Sequence, residues 1–137
     1  MLADFISSIF GVITVAGGAI SLFSILIGGF GIANIMFVSV RERTNQIGIQ
    51  KSLGAKRSFI LWQFLFEAVF LSLIGGVIGL LLVYPLTFIS LGSLDLVLTT
   101  KNIIIGLSLA TVIGIISGLM PAWSAAKMDP VSAIRMA

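Results

Sequence analysis

Charged residues fall in short groups along this chain and leave three long stretches between them. There is no charge between Asp4 and Arg41, a run of 36 positions, none between Glu67 and Asp95, a run of 27, and none between Lys101 and Lys127, a run of 25. A helix that crosses roughly 30 Å of hydrocarbon needs about 20 predominantly apolar residues, so each stretch is long enough to span. The pattern predicts an all-α integral membrane protein with three transmembrane helices over about 9–40, 59–83 and 103–123. A link over 41–57 joins the first two spans, a link over 84–101 joins the second and third, and 124–137 forms a tail. The first helix exceeds what the bilayer requires: at about 1.5 Å per residue it extends near 48 Å. It is therefore expected to tilt, break or project from one face.

Basic residues assign the sides. Arg41, Arg43, Lys51, Lys56 and Arg57 lie in the first link, Lys127 and Arg135 in the tail, and Lys101 alone in the second link. The positive-inside rule places the first link and the tail, and so the C-terminus, in the cytoplasm, with the N-terminus outside. An outside N-terminus with no preceding helix is unusual, and the expectation is that a further span is supplied upstream or by a partner. A secretory signal does not fit, because the first charge is Asp4 and the apolar run is too long.

Small residues recur along the spans at helical spacing. In the first, Thr14, Gly17, Ser21, Ser24, Gly28 and Gly31 alternate steps of three and four, a 3.5-residue period that favours left-handed packing. In the third, Gly106, Ala110, Gly114 and Gly118 repeat every four residues, and Gly75 and Gly79 form the same pattern in the second. Stripes of this kind let helix backbones approach closely where lipid removes the hydrophobic drive. Two readings stand side by side: packing within one three-helix bundle, or a dimer seam along one stripe, with the first span the foremost candidate.

Composition narrows the chemistry. Apolar residues make up 58% of the chain and charged residues 9%, against about 25% charged in a soluble domain. There is no cysteine and no histidine, so disulfides, thiol chemistry and the commonest general base and metal ligand are all missing. The acids Asp4, Glu42, Glu67, Asp95 and Asp129 are scattered, with no two spaced as a paired site, and no GxxxxGK[ST] phosphate loop occurs. No catalytic residue, metal site or resident cofactor is predicted, and topology accounts for the net charge of +3 without nucleic acid. Glu67 is the one charge inside a predicted span. Such carboxylates serve as proton relays or substrate contacts, or as a polar clamp between helices; Gln63, one turn earlier on the same face, is a candidate partner.

The first link carries the most information: Arg41-Glu42-Arg43-Thr44-Asn45-Gln46-Ile47-Gly48-Ile49-Gln50-Lys51-Ser52-Leu53-Gly54-Ala55-Lys56-Arg57. Polar residues flank Ile47, Ile49 and Leu53, and Gly54 is placed to cap a short helix before the next begins. The expectation is a short amphipathic helix whose three aliphatics are exposed, either to the membrane surface or to a groove on a partner protein.

This link, with its surroundings, resembles the permease domain of the MacB/FtsX-like family of ABC transporters. The likeness begins at Ile20-Ser21-Leu22 and Gly28-Gly29-Phe30-Gly31-Ile32-Ala33-Asn34-Ile35-Met36. It runs on through Val38-Ser39-Val40-Arg41-Glu42-Arg43-Thr44, Gln46-Ile47-Gly48-Ile49 and Lys51-Ser52-Leu53-Gly54-Ala55, then Glu67-Ala68-Val69. It ends in the tail with Pro121-Ala122, Ala125-Ala126, Asp129-Pro130-Val131 and Ala133-Ile134-Arg135. Some positions depart from the family pattern. Gln46 stands where Glu is usual, Gln50 where Arg is common and Ser52 where Ala is common, which softens the charge of the link and leaves the choice of ATPase open. Trp123 replaces a frequent basic residue and suits an interfacial anchor.

The resemblance implies a permease of four spans, of which this chain matches the last three, with a large extracytoplasmic domain after the first. It implies that the over-long first helix is a stalk rising from a bacterial inner membrane. It also implies that Arg41, Glu42, Arg43, Ile47, Gly48, Ile49, Lys51, Leu53, Gly54 and Ala55 belong to a coupling helix on a partner ABC ATPase, which carries the ATP and magnesium. Two permease copies then pair, and ATP-driven closure of the ATPases moves the stalks for efflux or extraction of substrate. The alternatives from other classes are a small membrane regulator that binds a transporter, and a truncated, non-transporting remnant.

Overall fold

The computed structural model describes residues 1–88 and 98–131. Asp95 and the tail motif Ala133-Ile134-Arg135 lie outside the described residues. Among the described residues four α-helices follow one another: α1 (Leu2–Glu42), α2 (Thr44–Ser52), α3 (Arg57–Val83) and α4 (Thr100–Lys127), with a short 3-10 helix, Tyr84–Phe88, continuing α3. Three of them, α1, α3 and α4, are long and apolar enough to cross a membrane. Each extends beyond its predicted span at one end or both, because helix persists past the edge of the apolar run.

α1 is a single unbroken helix of 41 residues, about 60 Å long at 1.5 Å per residue. Of the three outcomes expected for an over-long first helix, a break is the one its continuous backbone removes. Its hydroxyls cost little in an apolar setting because they satisfy themselves. Ser7, Ser8, Thr14 and Ser21 donate to the carbonyls of Asp4, Phe5, Phe10 and Gly17 at 2.7–2.9 Å, the back-bonding that lets short polar side chains sit on a membrane helix.

α3 and α4 form the tightest pair. Along α4 the contact face is Ala110, Gly114, Gly118 and Ala122, every fourth residue and all buried. Along α3 it is Ala68, Ser72 and Gly76, again in steps of four. A Cβ on Gly114 would stand 2.9 Å from the Val69 Cα, and one on Gly118 would collide with the Ala68 Cβ. A Cβ on Gly76 would reach the Ala110 Cβ at 3.0 Å. The buried Ser72 hydroxyl crosses the seam to donate to the Ala110 carbonyl at 2.5 Å. Gly75 and Gly79 lie beside this face with open space around their Cα atoms. Neighbouring residues on a helix point about 100° apart, so Gly76 rather than Gly75 meets α4.

α1 meets this pair through its C-terminal half, where Ile25, Leu26, Gly29 and Phe30 line a groove with Ile113, Ser117 and Met120 of α4. Gly29 faces the Ser117 hydroxyl and Ile113 of α4, where an added Cβ would stand 2.9 Å from the Ser117 Oγ. Residues 3–28 of α1 are exposed. Gly17, Gly28 and Gly31 have nothing within 4 Å of an added Cβ, and Ser21 and Ser24 are likewise exposed. The small-residue stripe of α1 thus meets no other helix of this chain among the described residues.

One apolar core closes the opposite end of the bundle, with every helix contributing. Met36 and Val40 come from α1, Ile47 from α2, Ile60, Phe64, Leu65 and Ala68 from α3, and Ala122 and Ala125 from α4. The link helix is therefore docked into the fold, and Ile47 is its plug.

Candidate functional site

α2 is bounded by two turns that differ in kind. At its start, Arg43 interrupts the helical run for one residue (φ −97°, ψ 12°). The Thr44 hydroxyl bonds the end of α1, donating toward the Arg41 carbonyl at 2.7 Å and the Val40 carbonyl at 3.1 Å. At its end, the Gly54 N–H donates to the Lys51 carbonyl and the Ala55 N–H to the Gln50 carbonyl, each at 3.0 Å. That pair of bonds is the Schellman arrangement, which needs a left-handed residue after the last helical turn. Gly54 supplies it with φ +97°, the cap that the sequence places there.

Three contacts hold α2 in place. The first is the Arg43 guanidinium, 3.2 Å from the Glu67 carboxylate of α3. Glu67 therefore pairs with a charge from the link, and no bond joins it to Gln63 among the described residues; a full charge across the helix gap outcompetes a neutral amide one turn away. The second is Ile47, 2% exposed in the common core, with Gly48 buried beside it. This corrects the expectation of three exposed aliphatics. Only Ile49 (48%) and Leu53 (83%) are exposed, because a nine-residue helix packed on a bundle turns one of its apolar positions inward. The third is Lys51, whose ammonium donates to the Ala126 carbonyl at 2.6 Å and to the Met128 carbonyl at the end of α4. Burial of that ammonium lowers its pKa from the ordinary lysine value; the positive charge of Arg57 lowers it further and Asp129 opposes both.

The outer face of this end of the molecule is apolar with a basic edge. Leu53 lies in an open cleft of about 740 Å³ together with Gln50, Lys56, Ser58, Phe59 and Trp62. Phe59 and Trp62 are 60% and 55% exposed, so the exposed side of α2 runs on to the first turns of α3. Arg41 and Glu42 are exposed at the end of α1, and Ala55 packs partly against the core. Trp123 is exposed, with the Lys127 ammonium 4.3 Å over its ring. The Arg43–Glu67 pair and the Lys51 contact carry no sequence signal of their own, since their partners are 24 and 75 residues or more away.

The Arg43–Glu67 pair is part-exposed on both sides, and such pairs contribute about 1 kcal/mol or less. Glu67→Gln is accordingly expected to shift the thermal midpoint in detergent only slightly and to leave activity near wild type. Loss of activity at every pH would instead identify Glu67 as a proton carrier.

Residues 18–130 match the family model described as FtsX-like permease C-terminal. The macrolide export ATP-binding/permease protein MacB of a Shewanella species (strain W3-18-1) is 42% identical over 119 residues, 85% of this chain and 18% of the relative. The ABC transporter permease YknZ of Bacillus subtilis is 41% identical over 136 residues, 98% of this chain and 34% of the relative. The pyoverdine export ATP-binding/permease protein PvdT of Pseudomonas syringae is 46% identical over 118 residues, 85% of this chain and 18% of the relative. The chain thus spans between about a fifth and a third of the length of these relatives. With the family model covering most of the chain, and with three helices long and apolar enough to cross a membrane, the chain belongs to the FtsX-like permease family.

Proposed function

We propose that this chain is the membrane coupler of an ABC-type permease in a bacterial inner membrane, linking ATP hydrolysis on a partner ATPase to movement of α1. The observation that carries the reading is the docking of α2. A short helix between two long apolar helices presents Ile49 and Leu53 outward while Ile47, Arg43 and Lys51 tie it to all three long helices. A surface that receives force must be both accessible to a partner and rigidly joined to what moves, and α2 meets both conditions. The names of the relatives, ATP-binding/permease and ABC transporter permease, agree with a partner or fused ATPase. On this reading ATP and magnesium reside on that ATPase, and this chain performs no chemistry itself.

Topology supports the same arrangement. The contact of Lys51 with Ala126 and Met128 brings the basic link and the end of α4 to one end of the bundle, consistent with both being cytoplasmic under the positive-inside rule. α1 then runs outward. At about 60 Å it is twice the thickness of the hydrocarbon layer, so a long part of it tilts in the membrane or rises beyond it as a stalk. Its unpartnered stripe of Gly17, Ser21, Ser24, Gly28 and Gly31 suits close approach to a second permease copy.

The test is recovery of the chain from detergent with mass spectrometry of whatever accompanies it. An ABC ATPase recovered with wild type and lost on Leu53→Asp is expected. Recovery of the chain without any ATPase, from native membranes at native expression, would sink the coupling reading in favour of a small regulator or a non-transporting remnant.

A further inference from the structure

The last carbonyls of a helix have no partner within it, and among the described residues those at the end of α4 draw on a donor from another helix. Met128 N–H returns to the Ala125 carbonyl at 3.3 Å. Lys127, the basic residue of the last turn, is turned onto the Trp123 ring instead. Pro130, two residues past the cap, has no N–H to give. The donor that arrives comes from α2: the Lys51 ammonium takes the Ala126 and Met128 carbonyls together. A cation at a helix C-terminus also meets the negative end of the helix dipole. Lys51 sits one residue before the end of α2, so the contact fixes the end of α2 that Leu53 and Gly54 leave.

From this geometry we infer that Lys51 is a positioning residue, a cap supplied from another helix of the same chain that fastens the end of α2 to the cytoplasmic end of α4 so that the two helices move as one body. This rests on the coupling reading above for its consequence, while the fastening itself stands on the bonds of Lys51. Displacement of α2 then passes directly to α4, and from α4 to α1 where Gly29 meets Ser117. Without the fastening, α2 is held at its start by Arg43, at its middle by Ile47 and at its end only by the short turn to α3, where Ala55 packs against the core.

Because the chain contains no cysteine, spin labels can be placed uniquely at Ser52→Cys and Ser124→Cys, both exposed positions on α2 and α4. The full chain in nanodiscs is expected to give a narrow distribution of separations. Lys51→Met, which keeps the aliphatic stem and removes the donors, is expected to broaden it, and Lys51→Arg to restore it. Should the methionine variant fail to accumulate, Lys51→Leu, likewise without a donor, is read in its place. With the partner ATPase present, the same donor-lacking variant is expected to retain binding and to lose stimulation about tenfold, the scale of a charged hydrogen-bonded contact. An unchanged distribution in the donor-lacking variant overturns the inference. Absence of ATPase stimulation by the wild-type chain would instead count against the coupling reading, and the label distances would still decide the role of Lys51.

Discussion

Gly118→Leu is expected to separate α3 from α4 and to unfold the bundle at temperatures the wild type survives. Even a single Cβ at this position collides with the Ala68 Cβ, with the Ala68 Cα close behind. At Gly114 the obstacles are the Val69 Cα at 2.9 Å and the Ala68 carbonyl oxygen at 3.2 Å. Backbone and a methyl on a helix axis cannot rotate away, so the helices themselves must part. Overpacking of a well-fitted seam costs about 1–3 kcal/mol, occasionally more, and parting also strands the buried Ser72 hydroxyl from the Ala110 carbonyl. Far-UV circular dichroism melts in detergent would show the loss. Gly79→Ala is the matched control: nothing lies within 4 Å of the added Cβ, and alanine favours helix over glycine by about 1 kcal/mol. Equal destabilisation by both variants would remove the seam as the cause.

Ile47→Asp and Leu53→Asp are expected to fail in different ways although both replace an aliphatic of the same short helix. Ile47 is 2% exposed among Met36, Val40, Ile60 and Phe64. A carboxylate there has no partner, and burying it costs several kcal/mol or forces its protonation. The docked end of the bundle should open, with a large fall in thermal midpoint and a poor yield from detergent. Leu53 is 83% exposed, so its substitution should leave the midpoint unchanged and remove only what binds the outer face. A Leu53→Asp protein that melts like wild type yet still stimulates its ATPase normally would break the assignment of α2 as coupler. A robust, well-folded Ile47→Asp protein would show that the core at this end is not closed.

How far the sequence reaches is clearest where element and contact part company. The three spans are legible because the bilayer imposes one-dimensional rules. About 20 uncharged apolar residues suffice to span, and charges cannot be scattered within a span without large cost. Gly54 as the stop of α2 is legible because a left-handed cap is a local demand. The family is legible because the link motif is a continuous run of residues. The seam is another matter. Gly114 and Gly118 stand on it, but on α3 the visible glycine pair Gly75 and Gly79 lies beside it, and the working face is Ala68, Ser72 and Gly76. A stripe of small residues says that a helix can be approached closely without saying from which side, because that depends on how the partner is rotated.

The membrane setting, the long apolar helices, the short helix between the first two and the family are thus all readable along the chain, because they follow from hydropathy, local turn chemistry and contiguous motif. Packing in three dimensions is what turns Ile47 inward and Leu53 out, answers Glu67 with Arg43, and brings Lys51 to carbonyls 75 residues or more further along the chain. Those pairings join residues far apart in sequence, and the choice among possible partners is made by the packing of four helices at once, a three-body and four-body problem that no periodicity along one strand of residues contains.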